Sequence, residues 1–269
     1  MVTGKTIALH SYKGGTGKTT MITNIAAFYA MTGHRVCLID FDLYAPSLST
    51  YFRKKPNSYL NDLLSGEAEL ADVLVDVSSE LGLKGKLLLG FSSSEKEDIN
   101  DIEVRHDTKW QLAALRRFLS AKTQLFEKYN IDYLFLDTSP GIRYWSVNTL
   151  ATADTLFLLM KDSDIDIAGT RKMIKDIYDS LARFGSKYFI ILNKVPGEAL
   201  LLQYSGIAKE KEWIKQLERV IGAQVVGSVP CFCDIQFSRH EFLFAIKKPE
   251  HPFSKKIVAL AEEIKSLNK

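Results

Sequence analysis

Residues 13–20 read Lys13-Gly14-Gly15-Thr16-Gly17-Lys18-Thr19-Thr20, directly after the apolar run Thr6-Ile7-Ala8-Leu9-His10. This order predicts a strand ending near Tyr12, a tight glycine turn, and a helix beginning near Lys18. Gly14, Gly15 and Gly17 permit positive φ and close backbone approach to a polyphosphate. The amides of residues 16–20 then point at phosphate oxygens, reinforced by the helix N-terminus. Lys18 is placed to neutralise the outer phosphates. The Thr19 hydroxyl is placed to take one position around Mg²⁺, which prefers oxygen ligands in an octahedron. Ile22, Ile25, Ala26, Phe28 and Tyr29 give the following helix the apolar context that a bare glycine turn lacks. The ordinary spacing, G-x-x-x-x-G-K-[ST], would put Gly at position 12, where Tyr12 stands. The glycines lie at 14 and 15 instead, and Lys13 precedes them.

Outward from the loop, candidate strands lie at 6–11, 35–40, 86–91, 132–137, 155–160, 188–192 and 224–228. Most are continuous apolar runs, the pattern of parallel strands buried on both faces. Helical patterns, such as 110–129 and 167–184, alternate with them. Strand–helix alternation implies an α/β fold: one doubly wound, mostly parallel sheet of seven to eight strands flanked by helices. No repeat or Pro/Gly/Ser linker divides the chain, so residues 1–269 read as a single domain. Residues 92–107 carry six acidic and two basic residues and read as a surface loop.

Composition sets bounds. Hydrophobic content of 46% and charged content of 25% are ordinary for a globular chain. There is no signal-peptide core and no apolar run of about 18 residues, so a cytoplasmic location is expected. Three cysteines, Cys37, Cys231 and Cys233, cannot form an even disulfide framework. A net charge of +3 is too small to argue for nucleic acid by itself.

Two carboxylates close apolar runs. Asp137 ends 132–137 and Asp40 ends 35–40, where a carboxylate can hold Mg²⁺ through water. Asp42 points the same way if its strand continues. Capping of nearby amides is the plainer role open to Asp40 and Asp42.

Lys13-Gly14-Gly15-Thr16-Gly17-Lys18-Thr19-Thr20 resembles the deviant Walker A motif of the ParA/MinD ATPases. Val36-Cys37-Leu38-Ile39-Asp40-Phe41-Asp42 resembles that family's second strand and first switch. Tyr133-Leu134-Phe135-Leu136-Asp137-Thr138-Ser139-Pro140-Gly141 resembles its Walker B strand and second switch. Ile190-Ile191-Leu192-Asn193-Lys194 and Gly227-Ser228-Val229-Pro230 resemble the strands that lead to adenine. The blocks keep family order from residue 6 to about 245. The resemblance implies a P-loop ATPase that binds Mg-ATP, forms an ATP-dependent homodimer, and hydrolyses ATP slowly to ADP and phosphate. Catalysis would then fall to Lys13, Lys18 and Asp42, with Asp42 orienting the attacking water. Thr19, Asp40 and Asp137 would serve the metal. Lys13 would reach the partner's phosphates across a two-fold interface, acting in trans as an arginine finger does. Gly14, Gly15, Thr16, Gly17, Lys18, Thr19 and Thr20 would cradle phosphate.

Asn193, Val229, Pro230 and Cys231 are the expected adenine contacts. Asn193 offers both a carbonyl and an amine, although a strand-end turn would also use Asn. Guanine is disfavoured, because Pro196 stands where Asn-Lys-x-Asp needs Asp.

The family's outputs leave different marks. A membrane-binding member carries a short amphipathic tail. Here the last helical pattern, 254–268, puts Ile257, Leu260, Ala261, Ile264 and Leu267 on one stripe narrow enough for the core. A DNA-binding member uses basic residues; Arg171, Lys172, Lys175, Arg183 and Lys187 offer a candidate nonspecific DNA patch, with a solvated helix face as the plainer reading. The switch Leu43-Tyr44-Ala45-Pro46-Ser47-Leu48 is closer to the Mrp-type scaffold branch, which holds an iron–sulfur cluster on a C-x-x-C pair. Cys231-Phe232-Cys233 departs from that pair in spacing and position, which argues against a metal cluster. The expectation is therefore an ATPase switch for positioning or partitioning a cargo, with an activator or cargo protein as partner. The alternative is a Mrp-like metallochaperone or iron–sulfur scaffold. A small-molecule kinase or ligase is a further rival.

Overall fold

The computed structural model of the protein describes residues 4–104, 108–197 and 210–268. β1 (Lys5–His10) runs through the glycine loop into α1 (Lys18–Met31), and β2 (Arg35–Phe41) follows. Three short helices, α2 (Leu48–Phe52), α3 (Leu60–Ser65) and α4 (Leu70–Val73), lead to β3 (Leu74–Asp76) and β4 (Lys86–Gly90). Then come α5 (Lys96–Val104), α6 (Thr108–Glu127), β5 (Tyr133–Thr138), α7 (Tyr144–Leu150) and β6 (Thr155–Met160). α8 (Asp164–Met173) continues through a π-helical turn (Ile174–Tyr178) into α9 (Asp179–Arg183), and β7 (Lys187–Val195) follows. The described elements end with α10 (Glu210–Ile221), β8 (Val225–Pro230), α11 (Cys233–Gln236), α12 (Phe244–Lys247) and α13 (Pro252–Leu267).

The eight strands form one sheet in the order β3-β4-β2-β5-β1-β6-β7-β8. Every neighbouring pair is parallel except β3 with β4. All seven expected strands are present. The eighth, β3, is a three-residue antiparallel edge too short to leave a periodic signal.

The sheet's pleat sorts adjacent residues to opposite faces. Ile7 and Leu9 join Phe135, Phe157 and Ile191 beneath α1 and α13. Ala8 joins Leu134, Leu136, Leu156 and Leu192 beneath α6, α7, α8 and α10. Burial on both faces is why the strands read as unbroken apolar runs, and each fully buried large side chain contributes about 1.5–3 kcal/mol. The apolar stripe of α13 belongs to this core: Ile257, Leu260, Ala261 and Ile264 are buried. Tyr29 Oη of α1 donates to the Ala261 carbonyl at 2.9 Å. Among the described residues no helix is long and apolar enough to cross a membrane.

The polar segment 92–107 departs from expectation. Residues 96–104 form α5, with Ile102 buried and Glu97 and Asp98 in the first turn, where the helix dipole favours them. Its acid-rich composition hides the apolar pair Ile99 and Ile102, spaced three residues apart. Residues 105–107 lie outside those described.

Parallel strands bring their carboxyl ends to one edge of the sheet. There β1 sits between β5 and β6, and crossovers leave in opposite directions, which opens the crevice where such sheets bind ligands.

Candidate active site

The loop after β1 wraps the start of α1. Gly15 and Gly17 have φ of 72° and 97°, whereas Gly14 does not adopt positive φ. A Cβ on Gly17 would lie 2.5 Å from Asn193 Nδ2, so both the conformation and the space require glycine there. Helix α1 opens with no side-chain cap and no acidic residue in its first turn. Its leading amides lack helical partners and face the crevice with the positive end of the dipole. Lys18 is buried; its Nζ donates to Ser11 Oγ at 3.0 Å, and Ser11 Oγ donates to the Lys13 carbonyl at 2.7 Å. Burial pulls the Lys18 pKa down, while Asp137, Asp42 and Asp40 hold it up. Lys13 behaves differently from Lys18. It is exposed and lies outside the lining of the cavity.

Three carboxylates stand behind the loop with different duties. Asp137 is buried; its Oδ2 accepts from Thr19 Oγ1 at 2.6 Å, and its Oδ1 has no hydrogen-bond partner. Burial pushes its pKa up to about 6, against the pull of Thr19 and Lys18. Asp40 pairs in register with Asp137 across β2 and β5. Its Oδ1 accepts the Asp42 amide, and its Oδ2 accepts the amides of Ser47 and Leu48, each at 3.0 Å. Asp40 therefore fixes the first switch and the start of α2, the capping role that the sequence left open. Burial and the neighbouring Asp137 raise its pKa. Asp42 lines the cavity, and its Oδ1 accepts from Ser139 Oγ at 2.8 Å and the Ala45 amide at 3.2 Å. The two switches thus meet at Asp42 and Ser139. They meet again where the Arg143 guanidinium lies 4.2 Å over the Tyr44 ring.

A cavity of about 450 Å³ runs from the loop to the segment after β8. Gly14, Gly15, Gly17, Lys18, Thr19 and Thr20 line one end. Asn193, Pro230 and Cys231 also line the cavity, together with aromatic residues that sequence reasoning missed: Tyr51, Phe232, Phe242, Phe244 and Phe253. Two expected contacts do not line it. Thr16 is buried with its carbonyl accepting from Asn193 Nδ2 at 2.7 Å, and Val229 is buried in the core with its side chain among α1 and α13 residues. An irregularity in the β7–β8 pairing spans Asn193 to Val195, and Lys194 has φ of 56°. That local kink aims Asn193 at the loop and lets Lys194 Nζ donate to the Gly15 carbonyl at 3.0 Å. Cys231 and Cys233 are exposed free thiols, and Cys37 is buried.

The loop is also wired to α8 and the π turn. A Cβ on Gly169 would lie 2.0 Å from Tyr12 Cδ1, so α8 needs glycine to admit that ring. His10 is fully buried; its Nε2 meets the Gly141 carbonyl at 2.9 Å and its Nδ1 meets Tyr178 Oη at 2.7 Å. A carbonyl only accepts, so Nε2 carries the proton and Tyr178 donates to Nδ1. Burial, then the Lys18 charge, pushes the His10 pKa down to about 3 and keeps the ring neutral.

A family model described as an AAA domain matches residues 4–186. The antiactivator FleN of Pseudomonas aeruginosa is 28% identical over 226 residues, which cover 78% of this chain and 75% of FleN. The chromosome-partitioning ATPase Soj of Treponema pallidum is 24% identical over 176 residues, 65% of this chain and 64% of Soj. The solved structure of the septum site-determining protein MinD with Mg-ADP, from Pyrococcus horikoshii, superposes with a TM-score of 0.75 at 19% identity. That match covers 99% of this chain and 98% of the MinD chain. The chain belongs to the ParA/MinD family of ATPases.

In this ParA/MinD-family site the residues fit a Mg²⁺–nucleotide. Asp137 has an unpartnered Oδ1 while its Oδ2 accepts from Thr19 Oγ1, and the uncapped helix start faces the same crevice. Among the described residues no three His, Cys, Asp or Glu side chains converge into a metal cage. That suits Mg²⁺, which is commonly held by one or two carboxylates and substrate phosphates. Thr19 and Asp137 are the residues that would hold it. Its chemistry there would be to neutralise charge on the phosphates.

Proposed function

We propose that the protein is a dimerising ATPase switch that binds Mg-ATP, hydrolyses it slowly to ADP and phosphate, and so positions or partitions a cellular cargo. The observation that carries this reading is the contrast between the two loop lysines. Lys18 is buried against Ser11 inside the cavity, whereas the Lys13 side chain is exposed on the same loop and makes no hydrogen bond or ion pair among the described residues. A charge held at the mouth of a phosphate site serves a phosphate outside its own cavity, which a second copy of the chain supplies. Within one subunit, Lys18 and the loop amides bind phosphate, and Asp42, steadied by Ser139, orients water. Asp40 acts through the switch that it caps.

Adenine is the base that this site suits. With its amine donating to the Thr16 carbonyl, Asn193 presents its carbonyl oxygen to the cavity. That oxygen accepts from the 6-amino group of adenine and faces an acceptor if guanine enters. For the cargo, the relatives' names support partitioning or positioning as the class of task. The basic residues Arg171, Lys172 and Lys175 lie exposed on α8 and the π turn, but Asp176 and Asp179 share their concave face. That mixture gives DNA a weaker claim than a protein partner. No observation favours the scaffold alternative.

Light scattering on size-exclusion peaks, with phosphate release measured in parallel, tests the reading. The parent is expected to run as a dimer with Mg-ATP and as a monomer with ADP. Lys13→Ala is expected to bind ATP yet stay monomeric, with turnover lowered by about 10³-fold or more, the range of a finger residue. A normal ATP-dependent dimer of Lys13→Ala removes the trans role.

A further inference from the structure

We propose that Tyr51 and Phe242 form an aromatic wall for the nucleoside half of the ligand, through which Tyr51 couples occupancy of that half to the first switch. This rests on the nucleotide reading above and specifies what the aromatic part of the cavity lining does. Phosphate is recognised by amides and cations, so it gives no reason for the aromatic side chains there. A base or ribose does, because a ring face attracts flat or apolar groups.

The wall is built with unusual redundancy. The Tyr51 and Phe242 rings lie 4.5 Å apart between centroids at 31°. Tyr51 Oη and Thr20 Oγ1 are hydrogen-bonded at 2.7 Å, which ties the wall to the first turn of α1. The Phe242 backbone is tied to the same turn through Asn24, which is fully buried. Asn24 Nδ2 donates to the carbonyls of Thr20 and Phe242, and its Oδ1 accepts the Ala245 amide, all at 2.8 Å. Arg53 Nη2 adds a bond to the His240 carbonyl at 2.6 Å.

Tyr51 and Arg53 sit at one end of α2, and the other end carries Ser47 and Leu48. Ser47 Oγ donates to Thr19 Oγ1 at 3.2 Å, and the Ser47 and Leu48 amides rest on Asp40. One short helix therefore touches the metal-side hydroxyl with its start and the base-side wall with its end. A ligand that presses on the wall moves the residue that meets Thr19. A bare polyphosphate engages the loop without filling the space against the aromatic rings.

The experiment compares affinities of the full chain for Mg-ATP, Mg-ADP and inorganic tripolyphosphate, by calorimetry, together with steady-state turnover. Tyr51→Ala and Phe242→Leu are each expected to weaken ATP and ADP about 2- to 10-fold, the range of one aromatic contact, and to leave tripolyphosphate unchanged. Tyr51→Phe keeps the ring and loses only the bond to Thr20. It is expected to restore parental ATP affinity while lowering kcat about fivefold, the equivalent of one neutral hydrogen bond. Equal losses for ATP and tripolyphosphate, or no loss for either, overturn the wall. Parental kcat in Tyr51→Phe overturns the coupling. A parent that binds none of the three ligands overturns the nucleotide reading itself, an outcome separate from the other two.

Discussion

Replacing His10 with Gln should change how the nucleotide-free protein responds to acid, and the size of that change follows from two buried groups that titrate in opposite senses. His10 has a folded-state pKa of about 3 against 6.5 for the free side chain. As pH falls through 6.5 the unfolded chain gains a proton that the folded chain refuses. The stability contributed by neutral His10 is therefore complete above pH 6.5 and drains away down to about pH 3. At about 1.4 kcal/mol per unit the loss totals about 5 kcal/mol. Asp137 opposes it. Its folded pKa is raised from 3.8 to about 6, so between those values the folded chain binds the extra proton. Acidification relieves its buried charge, and Asp40 beside it, also raised by burial, acts in the same sense. In the parent these carboxylates oppose the His10 slope.

His10→Gln removes one slope and leaves the other. Gln can still donate an amide hydrogen to the Gly141 carbonyl, so the fold has a route to tolerate the exchange. Urea denaturation, followed by far-UV circular dichroism, gives the unfolding free energy of each protein across the pH range. The parent-minus-variant difference is expected to shift by about 3 kcal/mol between about pH 6.5 and about pH 4.5, in the direction that disfavours the parent in acid. Surface carboxylates are common to both proteins and drop out of the difference. A difference that stays constant with pH would show that His10 is not held neutral between Tyr178 and the second switch, and the reasoning about that junction would fail.

The other expectations are simpler to state. Asp137→Asn should remove the Mg²⁺ dependence of ATP affinity, checked by titrating nucleotide with and without the ion; a variant that retains the parental Mg²⁺ enhancement removes Asp137 from the metal site. Asp42→Ala should bind ATP normally, release phosphate at least about 10²-fold more slowly, and accumulate as an ATP dimer on size exclusion, because the water loses its orienting group. Hydrolysis at the parental rate assigns that task elsewhere. Gly169→Ala should destabilise by about 1–3 kcal/mol, since the new Cβ overlaps the Tyr12 ring. Thermal melting reads that loss, and an unchanged midpoint would place Tyr12 elsewhere.

Most of the fold could be read from the strands because both faces of the sheet are covered, and double coverage writes itself as long apolar runs. β3 left no such trace, since three residues on an antiparallel edge carry no period. Helix α5 was hidden by charge; among its described side chains Ile102 is the buried one. The phosphate end of the site was legible for a local reason: Gly17, Lys18 and Thr19 do their work within one turn of chain. The base end is assembled from residues far apart in sequence. Tyr51 meets Phe242, Asn24 meets Ala245, and Arg53 meets His240, contacts that no local spacing announces. Asp40 shows the same limit in reverse. Its position at a strand end suited a metal ligand, and only the fold reveals three backbone amides on its carboxylate.

Asp137 joins stability to function. A buried carboxylate with one oxygen unpartnered is an expensive group to keep charged, and burial raises its pKa accordingly. The Thr19 hydroxyl and the Lys18 charge offset only part of the cost of burying it. A cation delivered with a nucleotide relieves the penalty, and by linkage that relief appears as tighter binding. The nucleotide-free state is thus held under electrostatic tension at the junction of β5 with the loop. Asp40, in register beside it, has its own carboxylate anchored to the switch, and the Asp137 charge helps raise its pKa. Relief of one aspartate therefore changes the field at the other, and the segment that Asp40 holds is the start of α2. The energy that makes the site attractive to a metal–nucleotide lies next to the element that a switch must move.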